Sequence, residues 1–154
     1  MSREPSDIFA WQRLSERLTT SGALQEHDPA RLAEIGVKHV VYLAMADHPE
    51  ALPDAAETFA AQGIRYTHIP IPFSAPEEAH YQAFAAALER ADGPVHVHCF
   101  MNWRVSAFCY RYHRDACGMP EAEARALMEQ QWSPEENDHP DAPKWAAFVA
   151  PREK

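Results

Sequence analysis

One stretch limits what this chain can fold into: Pro94-Val95-His96-Val97-His98-Cys99-Phe100-Met101-Asn102-Trp103-Arg104-Val105-Ser106-Ala107-Phe108. It opens as a short apolar strand, closes that strand at His98-Cys99, and passes through a few residues into a helix begun by Arg104. Helical spacing puts Val105, Phe108, Cys109 and Tyr112 on one face of residues 104–116. A strand that feeds a helix this directly belongs to an α/β layer fold. A thiol at such a turn faces the unpaired N–H groups and positive end of the helix, which stabilise an anion. The same field favours thiolate over thiol. Arg104 adds a planar, permanently charged fork that grips oxyanions two oxygens at a time.

The rest of the chain alternates strand and helix signals. Strands are expected at residues 15–21, 37–45, 64–71 and 95–99, the third ended by Pro70 and Pro72. Asp28 reads as an N-cap with Pro29 at the first position of a helix over 29–35, stopped by Gly36. A helix over 53–62 ends at Gly63. Ser74-Ala75-Pro76-Glu77 has capping-box spacing and opens a helix whose core stripe is Tyr81, Phe84, Ala85 and Leu88. Ala124, Leu127, Met128 and Gln131 mark a further helix, and Trp145 and Phe148 a last one beyond a Pro-rich acidic loop over 133–143. The expectation is a three-layer α/β fold, with a central, mostly parallel sheet of four or five strands and helices on both faces. It forms one domain over residues 1–154, with its core at about 12–150. Cys99 belongs at the C-terminal end of a central strand, where such sheets bind ligands.

A formal net charge of −9 argues against a nucleic-acid or anionic-membrane binder, since both need broad basic surfaces. Three cysteines, Cys99, Cys109 and Cys117, make an odd set without framework spacing, as expected of a reducing compartment. Residues 1–7 carry no apolar leader core, and no long apolar run follows, so a cytoplasmic protein is expected. Oligomeric state is not readable.

The His-Cys pair, the loop and the arginine resemble the active-site loop of cysteine-dependent phosphatases of the protein-tyrosine and dual-specificity group. Two details depart from that signature. Four residues, one fewer than usual, separate Cys99 from Arg104, and Val105 follows the arginine, so the hydroxyl arrives one place late at Ser106. With Thr20-Ser21-Gly22 and Ile69-Pro70-Ile71-Pro72, the chain resembles a bacterial phosphatase-like family related to the beta-lactamase hydrolase-like phosphatase domain, over roughly residues 12–150. That resemblance implies hydrolysis of phosphate monoesters, phosphotyrosine among them, through a phosphocysteine on Cys99. Arg104 would clamp the phosphate, and His98 and Ser106 would be accessory catalytic residues. Phe100, Met101, Asn102, Trp103 and Arg104 would form the phosphate-binding loop. The substrate would be a phosphorylated small molecule or phosphoprotein, with no cofactor or metal.

Several residues have two readings. His98 either orients the loop by hydrogen bonding to backbone or is a core histidine; His96, on the same strand face, reads as structural. The loop lacks glycine, so Asn102 is the residue best able to take the left-handed turn. Phe100 and Trp103 pack beneath the loop or wall a substrate. Cys109 sits in the core stripe, and Cys117 reads as inert. The cluster Glu135, Glu136, Asp138, His139 and Asp141 reads as a solvated loop rather than a metal site. No aspartate lies between Asp54 and Asp92 to act as general acid, which leaves Glu78 as a poor candidate. Two alternatives stand beside the phosphatase: a non-catalytic phospho-ligand binder, and a rhodanese-like sulfurtransferase holding a persulfide on Cys99.

Overall fold

The computed structural model describes residues 5–45, 47 and 51–150; the leaderless reading of the first residues lies partly outside them. Eleven elements follow in order: β1 (Gln12–Ser15), β2 (Leu18–Ser21), α1 (Asp28–Glu34), β3 (His39–Tyr42), α2 (Ala55–Ala61), β4 (Arg65–His68), α3 (Glu78–Arg90), β5 (Val95–His98), α4 (Trp103–Asp115), α5 (Glu121–Glu129) and α6 (Ala142–Val149). The strands form one sheet in the order β1-β2-β5-β3-β4. Only the β1–β2 pair is antiparallel. The expected three-layer, mostly parallel architecture is what the chain adopts.

Strand alternation sorts the core into two halves. Val95 and Val97 pair in register beside Leu18 and Val41 and point to the face covered by α3, α4 and α6. Phe84, Phe108 and Trp145, all buried there, supply most of the bulk. His96 and His98 point to the other face, level with Val40 and Tyr42. A smaller cluster of Ile8, Leu24, Leu32, Val37, Val40, Phe59 and Ile64 forms beneath α1 and α2. β2, β3 and β5 are buried along their whole length, as strands covered on both faces must be.

The local differences from expectation have physical causes. The single strand over 15–21 is a hairpin: Glu16-Arg17 turns the chain, the Arg17 N–H bonding to the Ser15 hydroxyl at 3.2 Å, without any Asn-Gly signal. The other strands keep only their central residues in the ladder. Asp28 does not cap α1 but accepts the Gln25 N–H at 2.8 Å and pairs with Arg31 at 3.1 Å. The third helix starts at Glu78, not after Ser74, because Pro76 disfavours helical backbone at the residue before it. Its cap is Glu77, whose N–H donates to the His80 Nδ1 at 3.0 Å. Ala87 is buried on that helix, while Ala85 and Leu88 are half-buried.

Candidate active site

β5 is flanked by β2 and β3, so its C-terminal end delivers Cys99 to the middle of the sheet edge. Cys99 is 1 % exposed, and its N–H continues the ladder to the Ser21 carbonyl at 3.4 Å. Phe100, Met101 and Asn102 make the turn, and α4 begins at Trp103. Asn102 takes the left-handed conformation at φ 66°, as the lack of glycine in the loop requires. The first-turn N–H groups of α4 have no partner in the helix itself and surround its positive end.

Arg104, on that first turn, is held rather than free. Its Nε donates to the Ile71 carbonyl at 2.8 Å, and its guanidinium lies over the Phe73 and Phe100 rings, 5.3 and 5.8 Å from their centroids. Burial pushes its pKa below the ordinary value, opposed by the Cys99 thiol and the Tyr42 hydroxyl. Arg104 and Cys99 both line a cavity of about 280 Å³, together with Phe73, Phe100, Met101, Trp103 and His139.

The cavity walls are aromatic and braced from behind. Trp103 stacks on Trp132 at 4.8 Å and 3°, and the Trp132 indole N–H donates to the Trp103 carbonyl at 3.0 Å. Phe73 stacks on Trp145 at 5.3 Å, while the Trp145 indole N–H holds the Phe73 carbonyl at 2.7 Å. His139 meets the Phe73 ring edge-on at 4.7 Å, and its Nδ1 accepts the Asp141 N–H at 3.0 Å. Met101, 47 % exposed, forms part of the rim.

The residues expected to carry the chemistry do not all converge. Cys99, Phe100, Met101, Trp103 and Arg104 do. Asn102 instead turns its side chain into the protein, where it is fully buried. Ser106 donates its hydroxyl back to the Trp103 carbonyl at 3.2 Å and lines a separate small cleft beside Met128, so one residue of displacement sends it away from the cavity. His98 is buried against the Tyr42 ring at 4.6 Å. Its ring nitrogens make no hydrogen bond of good geometry, and the backbone of Cys99 is the loop group they meet. Burial pushes its pKa down to about 3, with the nearby Cys99 backbone opposing. Glu78 is bound by Arg111 through two 3.1 Å bonds and does not line the cavity. Cys109 is buried, which pushes its thiol well up, and Cys117 is exposed; all three cysteines are free. Among the described residues, no three His, Cys, Asp or Glu side chains gather as metal ligands.

Phe73 and His139 were not legible as site residues. Phe73 had one usable signal, its place just past a parallel strand. His139 had none, since its approach depends on the path of the 133–143 loop.

Gly22 tests how tightly the loop is seated. A Cβ there would fall 2.4 Å from the Phe100 carbonyl oxygen, a contact that only backbone movement relieves. Gly22→Ala is expected to cost about 1–3 kcal/mol in urea unfolding.

The five-stranded, mostly parallel sheet with helices on both faces, a cysteine after its central strand and an arginine on the next helix match a phosphatase-like fold of the protein-tyrosine phosphatase type. The beta-lactamase hydrolase-like protein, phosphatase-like domain family matches residues 10–110, and the chain belongs to that family. It is similar to a putative phosphatase from Shewanella putrefaciens CN-32, with 28 % identity over 92 % of this chain and 87 % of that one, TM-score 0.78. The fold is shared with P. aeruginosa TpbA, solved in complex with pTyr, at 22 % identity over 97 % and 86 % of the two chains, TM-score 0.71. It is also shared with PTPMT1, solved in complex with PI(5)P, at 14 % identity over 90 % and 94 %, TM-score 0.71. No curated protein matches. No helix among the described residues is long and apolar enough to cross a membrane.

Proposed function

We propose that the protein hydrolyses phosphate monoesters carried on an apolar or aromatic group. The observation that carries this reading is the placement of Cys99 and Arg104 in one aromatic-walled cavity whose lining holds a single arginine. The Cys99 thiolate attacks phosphorus in line, and the P–O bond to the leaving group breaks with its electron pair. Arg104 and the loop N–H groups hold the equatorial oxygens. Water then hydrolyses the S–P bond, releasing phosphate and restoring Cys99. One cation suits one phosphate, which favours a mono-phosphorylated ring such as phosphotyrosine over polyphosphorylated ligands.

Among the described residues no carboxylate lines the cavity, and on this reading the departing oxygen takes its proton from water. General-acid help is worth about 10²–10⁴-fold. An activated aryl phosphate should therefore turn over faster than an alkyl phosphate by a margin of that size. A comparison of kcat/KM on the two esters checks it; equal rates would mean an acid has been overlooked.

The same missing acid and the short Cys99–Arg104 spacing favour a second reading, sulfur transfer. There the outer sulfur of thiosulfate passes to Cys99 and sulfite leaves without needing a proton. Thiosulfate-dependent sulfur transfer to cyanide without aryl phosphate turnover would replace the phosphatase reading; neither activity would leave an anion-binding protein.

A further inference from the structure

Asn102 lies in the middle of the loop yet faces away from the cavity. Its backbone is left-handed, and its side chain is fully buried. The Nδ2 donates to the Ala10 carbonyl at 2.9 Å and to the Thr20 hydroxyl oxygen at 3.0 Å. The Thr20 hydroxyl in turn donates to the Gln12 carbonyl at 3.3 Å, so it is an acceptor toward Asn102 and the amide orientation follows. Ala10 is itself left-handed, at φ 56°, which turns the chain just ahead of β1.

A second tether acts next to it. The Ala23 N–H donates to the Phe100 carbonyl at 3.0 Å, across the close approach that Gly22 permits. In a trans peptide the N–H points opposite to the C=O. Anchoring the Phe100 carbonyl on Ala23 therefore turns the Met101 N–H away from Ala23. Two residues on from Phe100, the Asn102 carbonyl accepts the Ser106 N–H at 2.9 Å, which turns the Trp103 N–H out of the helix end. The Met101 and Trp103 N–H groups are turned outward because the Phe100 and Asn102 carbonyls and the Asn102 carboxamide are tied inward.

From this geometry we infer that Asn102 is the positioning residue of the Cys99 site. It supplies the turn that glycine would supply, and its carboxamide latches the anion-binding loop to the segment preceding β1. That segment, through Ala10, is a working part of the site although it touches no ligand. The inference rests on the anion-binding part of the proposed function, not on turnover.

The test uses inorganic phosphate as probe, its affinity read from protection of Cys99 against iodoacetamide, with urea unfolding measured alongside. Asn102→Gly keeps the left-handed turn and removes both bonds, so phosphate affinity should fall about tenfold while the protein stays folded. Asn102→Asp has nearly the same shape but sets a carboxylate against the Ala10 carbonyl, and should lose more. Thr20→Val should lose less alone and nothing further in the Asn102→Gly background. If Asn102→Gly lowers the urea midpoint while phosphate protects Cys99 as in the unaltered protein, the residue is merely structural and the inference fails. If phosphate does not protect the unaltered protein, the phosphatase reading fails instead, and thiosulfate becomes the probe. Protection by neither anion overturns both.

Discussion

Arg104→Lys should reduce kcat/KM on an aryl phosphate by about 10²–10³-fold, the loss typical of removing one preorganised donor from a developing oxyanion. The charge is retained, so the loss isolates geometry. Arg104 divides its guanidinium between two tasks. Nε is committed to the Ile71 carbonyl and the flat group lies over the Phe73 and Phe100 rings, so on the proposed reading the outer nitrogens are the ones that hold phosphate. Lysine offers a rotating point charge that cannot hold the carbonyl and two phosphate oxygens together. Cys99→Ser supplies the baseline: turnover should vanish while phosphate still binds. An Arg104→Lys variant with unaltered kcat/KM would remove the arginine from the reaction.

A steep acid sensitivity is the second large effect expected. His96 and His98 are completely buried and neutral; burial holds His96 well below its ordinary pKa and His98 at about 3. In the unfolded chain both titrate near 6.5. Below that value the unfolded chain binds protons that the fold refuses, so stability is complete above about pH 6.5 and declines as pH falls toward 3. Each histidine contributes up to about 1.4 kcal/mol per pH unit. His98 alone removes about 2 kcal/mol by pH 5 and His96 acts in the same direction, against a usual total of roughly 5–15 kcal/mol. Melting at pH 7.5 and 5.0 measures the loss. His96 bonds to the Thr19 and Ser21 hydroxyls, both at 2.8 Å, whereas His98 is held mainly by stacking on the Tyr42 and His96 rings. His98→Phe should therefore keep the stack, flatten the pH dependence and melt at pH 5.0 no lower than the unaltered protein. An unchanged dependence would place the titration elsewhere.

What could be read in advance follows from the range of each interaction. The β5–α4 unit was legible because its signals are local: an apolar strand, a loop without glycine and a helix with one apolar face. The same locality pointed to the turn at Asn102. The hairpin at Glu16-Arg17 was not legible, since its turn carries neither glycine nor asparagine and β1 is rich in polar residues. Gln12 is buried because it bonds to the Leu127 carbonyl and the Gln130 side chain, partners no local pattern foretells. Ser106 and Glu78 show the converse failure. Each stands near the right place in the chain, yet a back-bond to Trp103 and a paired Arg111 decide where the side chain goes. Phe73 reaches the cavity through contacts with Trp103, Trp132 and Trp145, and His139 through the Phe73 ring, none of them local in the chain.

The strand order has a consequence for how the protein is made. β5 is the last strand in sequence but lies between β2 and β3, so nothing in the first ninety or so residues can close the sheet. Until residues 95–98 emerge, the β1–β2 hairpin and the β3–β4 pair each present an open edge toward the vacant centre. Closure then joins partners far apart in the chain, a slow kind of step. The strand that performs it also carries Cys99, and the loop behind it docks on Ala10 and Ala23. Assembly of the sheet and assembly of the cavity at Cys99 are therefore one event, and a nascent chain ending before Pro94 should be without either and prone to aggregation.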